Sequence, residues 1–136
     1  MSGTPTTIAV DIASLRTIVV CDDHQYLRDA VKMVLSTVPR FHVVGETADG
    51  EACLDRIKDF RPDVLIMDVS MPGGGPQLAT AAKELNPGMH VVVFSGRHDD
   101  HTRNSMLAAG ADQYIVKNGR LTPLLEALDQ TISTAQ

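Results

Sequence analysis

Asp22 and Asp23, Asp68, Ser95 and Lys117 share one placement in this chain: each follows on a short apolar run. If those runs are neighbouring parallel strands, the five side chains meet beyond the carboxyl edge of one sheet, where open α/β sheets hold their ligands. Three carboxylates gathered there repel one another and raise each other's pKa unless a cation intervenes. Mg2+ suits such a set, because it takes oxygen ligands and keeps several of its waters. Asp68 would then lie between the metal and the Lys117 ammonium. That arrangement neutralises an incoming phosphoryl group, which is most of what phosphoryl transfer asks of a protein. A carboxylate can itself take the group as an aspartyl-phosphate, and the Ser95 hydroxyl could hydrogen-bond a phosphoryl oxygen. Glu46-Thr47, which end a further run, add less to this chemistry.

The elements that must position these residues are legible as a repeating pattern. Short β-branched runs occur at Ile18-Val19-Val20, His42-Val43-Val44, Val64-Leu65-Ile66-Met67, Val91-Val92-Val93-Phe94 and Tyr114-Ile115-Val116. Most are apolar without interruption, the mark of strands buried on both faces. Between them come helical stripes: Leu27, Val31, Val34 and Leu35; Leu54 and Ile57; Leu78, Ala82 and Leu85; Leu124, Leu128 and Ile132. Met106 and Leu107 with Ala108 and Ala109 indicate a weaker helix before Gly110. Thr122-Pro123 offers an N-cap and a proline at the first helical position, and Gly75-Pro76 opens the third helix in the same way. Arg61-Pro62-Asp63 and Asn86-Pro87-Gly88 break the chain before strands. Five strands alternating with five helices make a (βα)5 unit, and right-handed crossovers turn it into a doubly wound parallel α/β sheet with helices on both faces.

At 136 residues the chain is long enough for one domain with a sizeable core. A net charge of -5, with no cluster of Lys and Arg, argues against direct nucleic-acid binding by this chain. Cys21 and Cys53 have neither metal spacing nor a disulfide framework and read as small buried hydrophobes. No apolar stretch approaches the ~20 residues of a membrane span, and no basic start leads into an apolar run. A cytoplasmic protein without membrane contact is the expectation. Residues 1–15 read as a flexible arm in which Ile8-Ala9-Val10 could pair or dock, leaving residues 16–136 as the domain.

Four blocks now fall into a known order. Ile18-Val19-Val20-Cys21-Asp22-Asp23-His24, Val64 through Gly73, Val93-Phe94-Ser95-Gly96 and Tyr114-Ile115-Val116-Lys117 resemble, in order and spacing, the blocks of response-regulator receiver domains of two-component systems. The Asp-Asp-His start, Val43-Val44-Gly45-Glu46 and Asp49-Gly50-Glu51-Ala52 look most like the NarL/LuxR subfamily. The resemblance runs from about Arg16 to the end of the chain. It implies a flavodoxin-like sheet of strand order 2-1-3-4-5 and a phosphoacceptor switch, not a turnover enzyme, beyond self-phosphorylation and autodephosphorylation. Asp68 matches the phosphoacceptor. Asp23 matches the direct Mg2+ ligand, Asp22 the acid that holds the metal through water, and Ser70 the residue whose carbonyl completes the site. Ser95 matches the switch hydroxyl, Lys117 the lysine that contacts the phosphoryl group, and Tyr114 the aromatic that changes rotamer with the hydroxyl. The resemblance also implies a sensor histidine kinase as donor, homodimerisation on phosphorylation, and control of transcription through a DNA-binding domain absent from this chain.

Departures from the family pattern shape the competing readings. After Met71-Pro72 the family usually carries an acidic residue, where this chain has Gly73-Gly74-Gly75-Pro76. Three glycines predict a loop of unusual backbone freedom, held less tightly than in typical relatives. That loop keeps open a degenerate receiver acting as a phosphorylation-independent interaction module. A small phosphatase with Asp68 as turnover nucleophile would want a second acid two residues on, and that position is Ser70. His24 could tune the pocket or contact the partner kinase, and a plain surface role reads equally well. The His98-Asp99-Asp100-His101 run reads as a solvated helix start, where acids favour the dipole, in preference to a metal cluster.

Overall fold

A computed structural model describes residues 15–134. The expected arm, with Ile8-Ala9-Val10, lies outside them up to residue 14, and so does the side chain of Ile132. Strands β1 (Arg16–Cys21), β2 (Phe41–Thr47), β3 (Val64–Met67), β4 (His90–Ser95) and β5 (Gln113–Val116) form one parallel sheet in the order β2-β1-β3-β4-β5. Helices α1 (Gln25–Leu35), α2 (Gly50–Phe60), α3 (Pro76–Leu85), α4 (Asp100–Ala108) and α5 (Thr122–Thr134) fill the crossovers and close the chain. The expected α/β fold and strand order are both present.

Because strand side chains alternate between faces, each apolar run feeds two cores. Val19, Cys21, Leu65, Met67, Val91 and Val93 pack with Cys53 and Ile57 of α2, Leu78 and Ala82 of α3, and Met106 of α4. Ile18, Val20, Val64, Ile66, Val92 and Phe94 pack with Val31 and Leu35 of α1 and Leu124 and Leu128 of α5. The chain steps outward from β1 to β2 and then returns past β1 to β3, so the winding reverses there. That reversal divides the helices between the faces and opens the crevice at the strand ends. Both cysteines are buried and free, as expected, and the thiol of Cys53 is pushed far above its ordinary value, first by Cys21 and then by burial.

β2 ends at Thr47, where the sequence placed it, and the Thr47 carbonyl accepts the Asp22 N–H at 3.0 Å. α5 begins at Thr122 itself, one residue earlier than the Thr122-Pro123 cap implied, since the Leu121 carbonyl already accepts from Leu125 at 3.0 Å.

Candidate functional site

Ladder register sets the site before any side chain does. Cys21 pairs with Met67 and Met67 with Val93, while Ser95 pairs with Val116. The ladder then continues one residue past the strands: Asp68 N–H donates to the Cys21 carbonyl at 3.0 Å and Lys117 N–H to the Ser95 carbonyl at 2.8 Å. Asp22, Asp68 and Lys117 therefore leave the sheet as neighbours although they are far apart in sequence.

Their side chains meet. Asp22 and Asp68 are each only 3% exposed. Lys117 Nζ stands 2.7 Å from Asp22 Oδ2 and 3.6 Å from Asp68 Oδ2. The ammonium thus spans both acids and pairs more closely with Asp22, whereas the sequence placed it beside Asp68. Asp68 Oδ1 is buried and has no hydrogen-bond partner. The Asp68 residue lines a cavity of about 330 Å3 together with His24, Tyr26, Leu27, Ser70, Gly96, Arg97 and Lys117. Asp23 is exposed on the turn after β1.

A divalent cation fits this donor set. Ligand-type atoms of Asp22, Asp23, His24 and Asp68 all lie within 4.8 Å of one another. A buried carboxylate oxygen without a partner is costly to leave so, and a cation is the partner that three converging acids call for. The acidic pocket is compatible with Mg2+ on its ligand chemistry.

Ser95 and Tyr114 occupy a lower tier. Ser95 is wholly buried, and its hydroxyl accepts the Arg97 N–H at 3.2 Å. The Tyr114 hydroxyl donates to the Arg97 carbonyl at 2.6 Å. Burial raises the Tyr114 phenol above its ordinary pKa, and Ser95 opposes that shift by hydrogen bonding. Among the described residues no hydrogen bond joins Ser95 to Asp68. The hydroxyl and the ring are linked to each other through the turn at Arg97.

The glycine run uses the conformations that glycine permits, with positive φ at Gly73 and Gly75, and two backbone hydrogen bonds cross it. Gly50 N–H donates to the Pro72 carbonyl at 2.8 Å and Gly74 N–H to the Met71 carbonyl at 2.9 Å. A Cβ on Gly74 would stand 2.6 Å from the Val69 carbonyl oxygen and 2.9 Å from that of Asp68. The run serves close backbone approach, and Gly73 with φ 73° turns the chain toward α2. The His98-to-His101 run is a helix start, as expected. Asp99 accepts from the Thr102 N–H at 2.9 Å and the Thr102 hydroxyl at 2.7 Å, and these bonds hold its carboxyl well below the usual range.

Residues 18–129 match the response regulator receiver domain family. The chain belongs to that family. The nitrate/nitrite response regulator protein NarL of Escherichia coli (strain K12) is 35% identical over 115 residues, 84% of this chain and 53% of that protein. The transcriptional regulatory protein DegU of Brevibacillus brevis is 34% identical over 112 residues, 82% of this chain and 48% of that one. The signal receiver domain of NarL from Mycobacterium tuberculosis superposes with a TM-score of 0.82 at 31% identity, covering 88% of this chain and 98% of the other. This receiver domain is thus of the NarL/LuxR type, and it spans about half the length of the curated relatives it matches. No helix among its described residues is long and apolar enough to cross a membrane.

Sequence reasoning passed over Arg28 and Lys32, which brace the acidic residues at the ends of β1 and β2. Arg28 of α1 donates to the Asp22 carbonyl at 2.6 Å and to Glu46 Oε1 at 2.8 Å. Glu46 also pairs with Lys32, which above all, and then Arg28, draws its carboxyl below the ordinary range against the opposing effect of burial. The signal was present, since Glu46 ends β2 at the same sheet edge, but its partners lie on another helix.

Proposed function

We propose that this receiver domain accepts a phosphoryl group on Asp68 from the phosphohistidine of a sensor histidine kinase. An Asp68 carboxylate oxygen bonds to phosphorus as the phosphorus–nitrogen bond breaks, and the imidazole leaves with a proton. The product is an acyl phosphate. Asp22, Asp23, Asp68 and the Ser70 carbonyl would hold Mg2+, which when bound lowers the cost of the added negative charge. Lys117 offsets charge on the phosphoryl oxygens from the other side, and Ser95 engages one of them. Tyr114, linked to Ser95 through Arg97, carries the change to the face made by α4, β5 and α5. The acyl phosphate then shifts a two-state equilibrium, homodimerisation follows, and a DNA-binding domain in a longer cytoplasmic protein reads it out. On this reading residues 16–136 are the signalling unit and residues 1–15 an appended arm.

One observation carries the reading: Asp68 keeps one oxygen buried and unpartnered while its other oxygen shares the Lys117 ammonium with Asp22. The test incubates the chain with acetyl phosphate and Mg2+ and follows intact mass. One phosphoryl group should add to the wild type and none to Asp68→Asn, and beryllofluoride should shift amide resonances of α4, β5 and α5 in the wild type only. No mass change, or equal behaviour of the two proteins, rules the reading out.

A further inference from the structure

We propose that His24 is a ligand of the same centre, making the acidic cradle a mixed nitrogen–oxygen site that binds borderline transition ions such as Zn2+ and Ni2+ more tightly than Mg2+. The inference rests on the metal-bound reading of Asp22, Asp23 and Asp68 given above. Its first support is aim. His24 Nδ1 lies 3.2 Å from Asp22 Oδ1 and 3.2 Å from Asp23 Oδ1, so the ring faces both acids of the β1–α1 turn. The Tyr26 ring stands edge-on to it at 5.9 Å and helps fix that orientation. Its second support is span. Donor atoms around one ion, with bonds of about 2.1 Å, sit roughly 3–4 Å apart. The four residues already hold theirs within 4.8 Å, so slight closure completes the shell. The third support is independent of His24: Asp68 Oδ1 is buried and unpartnered, and Asp68 lines the same cavity as His24.

The preference follows from ligand type. An imidazole nitrogen strengthens binding along the series from Mn2+ to Cu2+ and for Zn2+, whereas Mg2+ keeps water and oxygen ligands. The His24 side chain is 55% exposed, so its ring reaches an ion without surrendering a packed position. Zn2+ or Ni2+ would therefore displace Mg2+ from the pocket that holds Asp68.

Wild type, His24→Ala, His24→Gln and Asp68→Asn would each be titrated with Mg2+, Zn2+ and Ni2+ against a chromogenic chelator, with the imidazole 15N resonances followed in parallel. Loss of the ring should weaken Zn2+ and Ni2+ binding about tenfold or more, the scale on which metal-site groups act. Mg2+ affinity should move by less than about threefold, since Mg2+ gains little from nitrogen. The His24 Nδ1 resonance should shift with one equivalent of Zn2+ and not with Mg2+. Equal losses for all three ions, or an unmoved Nδ1, would make His24 a counter-charge only and overturn the inference with the oxygen site intact. Absence of Mg2+ binding in the wild type, together with unchanged Zn2+ binding in Asp68→Asn, would remove the underlying site as well.

Discussion

Asp68 holds an oxygen that the folded chain leaves without a hydrogen-bond partner, and it shares the Lys117 ammonium with Asp22. Both acids are almost fully buried, so solvent does little to soften their repulsion. Without a divalent ion, Asp68→Asn should therefore raise the unfolding free energy, by about 1–3 kcal/mol if the relief matches the cost of one unsatisfied buried group. Urea melts in EDTA read this directly, and a destabilised Asp68→Asn would contradict it. Asp99 gives a second test, of opposite origin. The Thr102 hydroxyl and N–H depress its folded pKa, so the unfolded chain takes up the proton first as pH falls. Stability due to Asp99 is then complete above the unfolded value near ~3.9 and drains away below it, toward the lower folded value. Asp99→Asn keeps an N-cap oxygen but has no such proton to gain. Its urea midpoint should fall less steeply than the wild type's from pH 4 downward on the ordinary scale of about one carboxyl, and parallel curves would count against this origin of the shift.

The β3–α3 loop shows what one sequence could and could not disclose about an element. Strands were legible because a strand buried on both faces must be apolar throughout, as Val64 to Met67 and Val91 to Phe94 are. Asp22, Asp68, Ser95 and Lys117 were legible because parallel strands deliver whatever follows them to one edge. The need for glycine at Gly50 was not legible because its reason lies elsewhere in the chain: a Cβ there, at the start of α2, would stand 2.2 Å from the Gly73 carbonyl oxygen. His24 turning onto Asp22, and Arg28 joining the Asp22 carbonyl to Glu46, likewise depend on tertiary placement and not on local pattern. Gly50→Ala and Gly74→Ala should each destabilise by roughly 1–3 kcal/mol, the range for forced overpacking. Gly74→Ala should also slow phosphorylation from acetyl phosphate, since the clash bears on the Asp68 and Val69 carbonyls. Gly88, with nothing within 4 Å of an added Cβ, supplies the control. Gly88→Ala should stay within roughly 0.5 kcal/mol of the wild type in the same urea melts.

At the scale of the molecule, the candidate centre exists only when the sheet does. Asp22 and Asp23 follow β1, Asp68 follows β3 and Lys117 follows β5, and the register of the intervening strands brings them together. An unfolded chain holds no such cradle, so any ion bound there favours the native state by mass action. Mg2+ at about a hundred times its dissociation constant should add about 2.7 kcal/mol to the unfolding free energy. EDTA should reverse the gain. Asp23 isolates this coupling from packing, because it is exposed and outside both cores, yet it belongs to the ligand cluster. Asp23→Asn should match the wild type's urea midpoint in EDTA and fail to follow it upward when Mg2+ is added. A variant that still gained the full increment would show that Asp23 is not needed to hold the ion, and one that fell below wild type in EDTA would show that its carboxylate serves the fold instead.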